Sequence, residues 1–254
     1  MLSETFNKQN LDGILKELAK EYKKLGGKRM PAEIILIGGA AIISHYGFRE
    51  MTTDIDAIIM ASSMMKDAIN HVGDRFGLPN GCLNDDFRKI GSYSDRLSEV
   101  SKYYKSYFGV LSVRVISAEY LIAMKLKAGR KYKNDFSDIA GILAEHKNKG
   151  EEITYQQIET AIEKLYGNVN AISDECLIFI KGILSEGNFE KVYFQLKENE
   201  KQAKNMLISF EEVYPGETNA DNANNIVDGL KEKLNKSSIL DHLKERKEKY
   251  LSVS

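Results

Sequence analysis

One stretch constrains this chain more than any other: IILIGGAAIISHYGFREMTTDIDAII, running from Ile34 to Ile59. EIILIGG is a short apolar run closed by two glycines, the pattern of a buried strand. AAIISHYG then suits a short helix ended by Gly47, and DIDAIIM begins with the alternation of a strand. On a strand, Asp54 and Asp56 send both carboxylates to one face. Two like charges that close cost energy unless a cation lies between them, and Mg²⁺, a hard ion that prefers oxygen ligands, answers that need. Upstream, Gly38 and Gly39 sit where a strand turns into a helix. Bare backbone amides and the positive helix N-terminus there suit a phosphate group. Either half alone has a plain explanation, a tight turn or a strand end at the surface. In this order and spacing they point to phosphoryl or nucleotidyl transfer.

Around this stretch the pattern is mixed and then purely helical. Leu11, Ile14, Leu15, Leu18, Tyr22 and Leu25 recur at helical spacing, and Gly26 and Gly27 end that helix. SSMMKDAINHVGDRF reads as a serine-capped helix stopped by Gly77 and Pro79. YYKSYFGVLSVRVIS has the aromatic and β-branched content of a hairpin, clearest at Leu111–Ile116. Ser117 opens the helix SAEYLIAMKLKAG, and NDFSDIAGILAEHK makes another. Thr154 with Gln157 forms a capping box, and Ser173 opens a further helix. Stretches 188–213, 222–235 and 238–250 are helical in pattern, and no strand is expected after residue 150. The expected fold is therefore an α/β (α+β) domain over 1–150, with a mixed sheet flanked by helices, and an all-helical domain over 151–254.

Charge follows the same division. The net charge is −1, yet residues 1–150 hold 23 basic and 18 acidic side chains, against 13 and 19 in the remainder. A basic excess beside the glycine turn and carboxylate pair suits anionic substrates. The longest apolar run, Ile34 to Ile43, is roughly half of what a membrane span needs, so no membrane association is expected. MLSETFNKQN lacks an apolar signal core, and Cys82 and Cys176 stand far apart without metal spacing, so a cytoplasmic protein with free thiols is expected.

GG followed by TTDID resembles the signature of the nucleotidyltransferase superfamily, the DNA polymerase β-like fold. LIAMKLKAGRKYKNDFSDIAGIL resembles the K…R…DxxD region of AbiEii-type proteins, which include toxins of abortive-infection toxin–antitoxin systems. The resemblance covers roughly residues 30–145. It implies that Gly38 and Gly39 form the nucleotide-phosphate turn, joined in nucleotide binding by Thr53 and Arg130. It implies that Asp54 and Asp56 are metal ligands for Mg²⁺ or Mn²⁺, that Lys125 binds phosphate, and that Asp135 and Asp138 are the acids of the final motif, Asp135 orienting or deprotonating the acceptor. The implied activity is transfer of a nucleoside monophosphate from an NTP to a hydroxyl of RNA, tRNA included, or of a protein. The acid excess over 151–254 suits either a basic protein partner, an antitoxin or a second copy of the chain, or a solvated helical surface.

The residues also support plainer readings. Lys125 lies among Leu121, Ile122, Met124 and Leu126, where an ammonium either snorkels or finds an anion. Asp135 can cap its helix, and Asp138 can pair with Arg130. Polymerase-β-like enzymes carry a third carboxylate on a later strand, whereas LSVRVIS offers Arg114. That departure leaves room for an alternative, a catalytically degenerate fold that acts as a binding module through its helical tail. Asn84, Asp85 and Asp86 read better as a solvated turn than as a source of the missing acid. Tyr93, Tyr103, Tyr104 and Tyr107, interleaved with Lys102 and Lys105, suit either base stacking or an amphipathic strand pair. His45, His71, His146 and His242 show no metal spacing.

Overall fold

The computed structural model describes residues 5–79 and 81–234. α1 (Lys8–Lys24) starts at a capping box in which the Asn7 side chain accepts from Gln9 and Asn10 N–H, and the Asn10 side chain accepts from Asn7 N–H. Its buried stripe is Leu11, Ile14, Leu15, Leu18 and Tyr22, as the periodicity predicts. The helix stops at Leu25, and Gly26 takes the left-handed conformation that ends it. Tyr22 is fully buried, and its hydroxyl donates to the Met30 carbonyl at 2.5 Å.

Five strands form one sheet: β1 (Ala32–Leu36), β2 (Ile55–Met60), β3 (Leu83–Asn84), β4 (Ser101–Tyr107) and β5 (Leu111–Ile116), in the order β3-β2-β1-β5-β4. β1 is the centre, antiparallel to β2 and parallel to β5. Ile34, Ile35, Leu36, Ile55, Ala57 and Val113 are fully buried on it. Register aligns Leu36 with both Ala57 and Val115. The C-terminal ends of β1 and β5 and the N-terminal end of β2 therefore meet at one edge of the sheet. α2 (Gly38–His45) leaves from that edge, and the Leu36–Ala57 ladder is extended by Ile37 N–H donating to the Asp56 carbonyl. β4 and β5 turn on Phe108 and Gly109, both at positive φ, with Val110 N–H closing on the Tyr107 carbonyl. The mixed α/β architecture expected from the sequence is thus observed, with a sheet flanked by helices.

α3 (Met64–Phe76) ends at Gly77 as expected, but Ser63 makes no capping bond through its side chain. Ser117 likewise does not cap α4 (Ala118–Ala128), since its hydroxyl donates to Glu119. At Ser117 a nearby acid takes the hydroxyl that the helix pattern assigns to the cap. α5 (Asp135–Asn148) follows, then α6 (Tyr155–Tyr166) with the Thr154–Gln157 capping box in place. α7 (Asp174–Glu186) is capped by the Ser173 side chain, and α8 spans Phe189–Val213. Residues 223–234 are helical, and the stretch expected as helix over 238–250 lies outside the described residues. No strand follows residue 150 among the described residues.

By contacts the chain forms two compact units, one of residues up to Gly129 with Asp138–Tyr193, the other of Arg130–Ser137 with Phe194 onward. The first holds the sheet and also α6, which packs on α4. The second has its own small core of Ala203, Leu207, Ala223 and Val227, with Tyr132 and Ile226 packed against it.

Both cysteines are free and buried, and no described helix is long and apolar enough to cross a membrane. Ile35 is fully buried on the central strand, so Ile35→Ala should lower the unfolding free energy by about 2–5 kcal/mol. Urea denaturation checks this; a loss below about 1 kcal/mol would show that the sheet's centre is not the core of the unit.

Candidate active site

The glycine turn and the carboxylate pair meet at the sheet edge. Gly38 has φ of +53°, a conformation that favours glycine, and a Cβ built on it would lie 3.4 Å from Asp56 Oδ2. Asp56 therefore turns its carboxylate toward the first residue of α2. Asp54 and Asp56 flank fully buried Ile55, so the two acids share a face of β2, Asp54 exposed and Asp56 half-buried. Gly39 is in closer quarters. A Cβ there would overlap Thr52 Oγ1 and come within 3.0 Å of Arg49 Nη2. Only glycine fits against these two side chains.

The loop between α2 and β2, which carries these residues, is held from several sides. Thr52 is buried, and it exchanges two backbone hydrogen bonds with Phe6. The Thr52 hydroxyl donates to Asp54 Oδ1 at 3.3 Å and lies 3.5 Å from Arg49 Nη2. Arg49 also donates from Nε to the Met51 carbonyl. One face of α5 grips the rest of the loop through residues three or four apart. Asp138 accepts from Arg49 Nη1 at 2.6 Å. Gly141 leaves room for the Phe48 ring, which a Cβ would meet at 2.5 Å. Glu145 Oε1 accepts from the N–H groups of Gly47 and Phe48.

Lys125 finds the anion that its apolar surroundings require. Its ammonium lies 2.8 Å from Asp138 Oδ2, the oxygen that Arg49 also uses. Asp138 is 2% exposed, and the Lys125 and Arg49 side chains are 10% and 16% exposed. Buried charges are tolerated when paired and hydrogen-bonded.

Asp135 and Arg130 belong to the second unit, where they engage each other. Arg130 forks onto Asp135 with Nε–Oδ2 at 2.8 Å and Nη2–Oδ1 at 3.0 Å, and its backbone N–H adds a third bond. Asp135 is fully buried. Beside it, Glu200 Oε1 accepts from the N–H groups of Phe136 and Ser137, an anion at the start of α5. The pairing expected between Arg130 and Asp138 is thus replaced by Arg130 with Asp135, and Asp138 turns to Arg49 and Lys125.

On Asp56's face, β3 and β5 offer no further acid, and Glu33 of β1 stands at the far end of the sheet, level with Met60. Register sets Asn84 of β3 directly beside Asp56. Its side chain donates to the Gly81 carbonyl and accepts from Asp86 N–H. Asp85 and Asp86 are exposed and pair with Arg88 and Lys89. Arg114 is level with Ile35, itself level with Ile58, which puts Arg114 on Asp56's side of the sheet. Its guanidinium is drawn toward the edge strand, where Nε donates to Ser101 Oγ at 2.7 Å, and it lies 4.0 Å from Glu33. Among the described residues no three His, Cys, Asp or Glu side chains gather in a way that could hold a metal. Two carboxylates nevertheless fit a Mg²⁺ that keeps waters and arrives with phosphate oxygens.

Several of the remaining candidates are engaged by other side chains. Tyr107 and Lys105 both donate to Asp12 of α1, whose carboxyl they hold below its ordinary range. Tyr93 donates to Asp95, and Tyr103 stays exposed. His45 packs its ring against Tyr104, His146 reaches the Tyr46 hydroxyl, and His71 lies on Glu21. His242 is outside the described residues. Thr53 is exposed, and its neighbour Thr52 makes the contacts. Arg49, Thr52 and Glu145 escape a reading by motif. A cation between the glycine turn and the paired acids was the one signal available.

A family model described as "Nucleotidyltransferase of unknown function (DUF6036)" matches residues 13–147. No curated protein and no solved structure matches the chain.

Asp138→Ala removes the carboxylate that two buried cations share, so it should destabilise the fold by about 3–5 kcal/mol. Lys125→Met, which leaves the Arg49–Asp138 pair, should cost distinctly less. Denaturant midpoints of both variants check the order; equal losses would mean that Asp138 does not bridge the two.

Proposed function

The chain belongs to the DUF6036 family of nucleotidyltransferases of unknown function, and on that premise we propose that it transfers a nucleoside monophosphate from an NTP to an acceptor hydroxyl at the edge where α2 meets β2. The observation that carries this is the approach of Asp56 to the Gly38–Gly39 turn, with Asp54 on the same face. Acids that close to a phosphate-binding turn repel their substrate unless a divalent ion joins them. Asp54 and Asp56 would hold Mg²⁺ or Mn²⁺, which when bound neutralises phosphate charge and polarises the reacting phosphoryl group.

The chain's own residues do the rest. Gly38 and Gly39 let triphosphate oxygens approach backbone N–H groups at the start of α2. Thr52 orients Asp54 through its hydroxyl. The strapped loop keeps acids and turn in fixed relation, which gives transfer its geometry at no cost during the reaction. The acceptor is a hydroxyl of RNA or of a protein. By its resemblance in the segment from Lys125 to Asp138, the protein serves as the toxin of a toxin–antitoxin or abortive-infection pair.

A second reading has one observation in its favour. Asn84 and Arg114 stand where neighbouring strands would supply a third carboxylate. On that reading the site binds nucleotide without turnover.

Asp56→Ala should reduce divalent-ion-dependent transfer of α-phosphate label into total RNA or total protein by about 10²–10³-fold, measured on variant protein that circular dichroism shows to be folded. A variant that labels acceptors at the wild-type rate contradicts the assignment. Wild-type protein that binds NTP but labels nothing in either pool favours the binding module.

A further inference from the structure

On the proposed reading of the Gly38–Gly39 turn, a bound phosphate needs a cation to answer its charge. The resemblance gives that duty to Lys125. In the fold, the group pressed against the turn is Arg49, with Nη2 within 3.0 Å of the position a Gly39 Cβ would take. A guanidinium has five N–H donors in a rigid fork. Arg49 spends Nε–H on the Met51 carbonyl, one Nη1 hydrogen on Asp138 and one Nη2 hydrogen on Thr52, the last at a long 3.5 Å. Among the described residues its remaining two donors, one on each terminal nitrogen, have no acceptor.

Three further facts converge. The Arg49 side chain is 16% exposed, so the fork is reachable but largely withdrawn from water. Its one anionic partner among the described residues is Asp138 Oδ2, an oxygen it shares with Lys125. Gly39, having no side chain, lets the fork lie against the backbone at the start of α2. A planar fork with open donors beside bare backbone amides matches the paired oxygens of a phosphate group, which a single ammonium engages only as a point charge.

We propose that Arg49 is the phosphate-binding cation of this site, and that Asp138 and Lys125 are positioning residues that hold its guanidinium at the turn. Asp138 fixes Nη1, which aims the plane of the fork. Lys125 anchors Asp138 to α4 in turn.

Titration calorimetry with inorganic tripolyphosphate, with each of the four common NTPs plus Mg²⁺, and with the matching nucleosides tests this. Arg49→Ala should weaken tripolyphosphate and NTP binding about 10–100-fold while leaving any nucleoside binding unchanged. Arg49→Lys keeps the charge but not the fork, and should recover only part of that loss. Lys125→Met should weaken binding less than Arg49→Ala does. Asp138 keeps Lys125 as a partner when Arg49 is shortened, so that variant should fold; if it unfolds, Arg49→Lys carries the test, and wild-type affinity there overturns the proposal. Wild-type affinity in Arg49→Ala, or a greater loss in Lys125→Met, also overturns it while leaving the proposed transfer reaction standing. Wild-type protein that binds neither tripolyphosphate nor any NTP overturns both.

Discussion

The carboxylate of Asp138 lies out of water between Arg49 and Lys125, and the geometry of the glycine turn depends on that arrangement. Removing three charged groups from water is costly, and the cost is offset only while all three stay together. Together they tie α5 and α4 to the loop that carries Thr52 and Asp54 and leads to Asp56 on β2. Gly141 and Glu145, further along the same face of α5, seat Phe48 and cap the amides of Gly47 and Phe48. The loop is thus fixed from outside, by side chains of α4 and α5. A site built in this way is rigid before anything binds.

Much of the fold was legible because it obeys short-range rules. The α1 stripe, the Thr154–Gln157 box, the glycine stops and the strand at Leu111–Ile116 all rest on local spacing or local residue preference. The strand–turn–helix–strand order around Gly38 and Gly39 was legible for the same reason. What escaped is what depends on distant partners. Arg49 and Asp138 are 89 residues apart, and Glu145 and Gly47 are 98 apart. No local pattern distinguishes Arg49 from any loop arginine. The serine before α4 misleads in the same way, since its hydroxyl serves Glu119. Lys125 shows the intermediate case: burial predicts that it has an anion, but only the fold tells which one.

The acidic motif after Lys125 separates into two environments. Asp138 bonds to Arg49 and Lys125 in the unit that holds the sheet, whereas Asp135 is forked by Arg130 in the unit built on Phe194 and beyond. An acid clasped on both oxygens by a guanidinium is a poor proton acceptor. The proposed mechanism therefore leans on Asp54 and Asp56, with Asn84 and Arg114 at the strand positions where a third acid would stand. Transfer under those conditions rests mainly on positioning and charge neutralisation, which phosphoryl chemistry tolerates well.

The most direct measurement compares two labels in one reaction. Wild-type protein with Mg²⁺ and total cellular RNA and protein is given each NTP labelled either at the α- or at the γ-phosphate. Nucleotidyl transfer predicts that α-label appears on an acceptor while γ-label leaves with pyrophosphate. Acceptors carrying γ-label but no α-label would contradict the account, because the chain would then move a phosphoryl group and not a nucleotide.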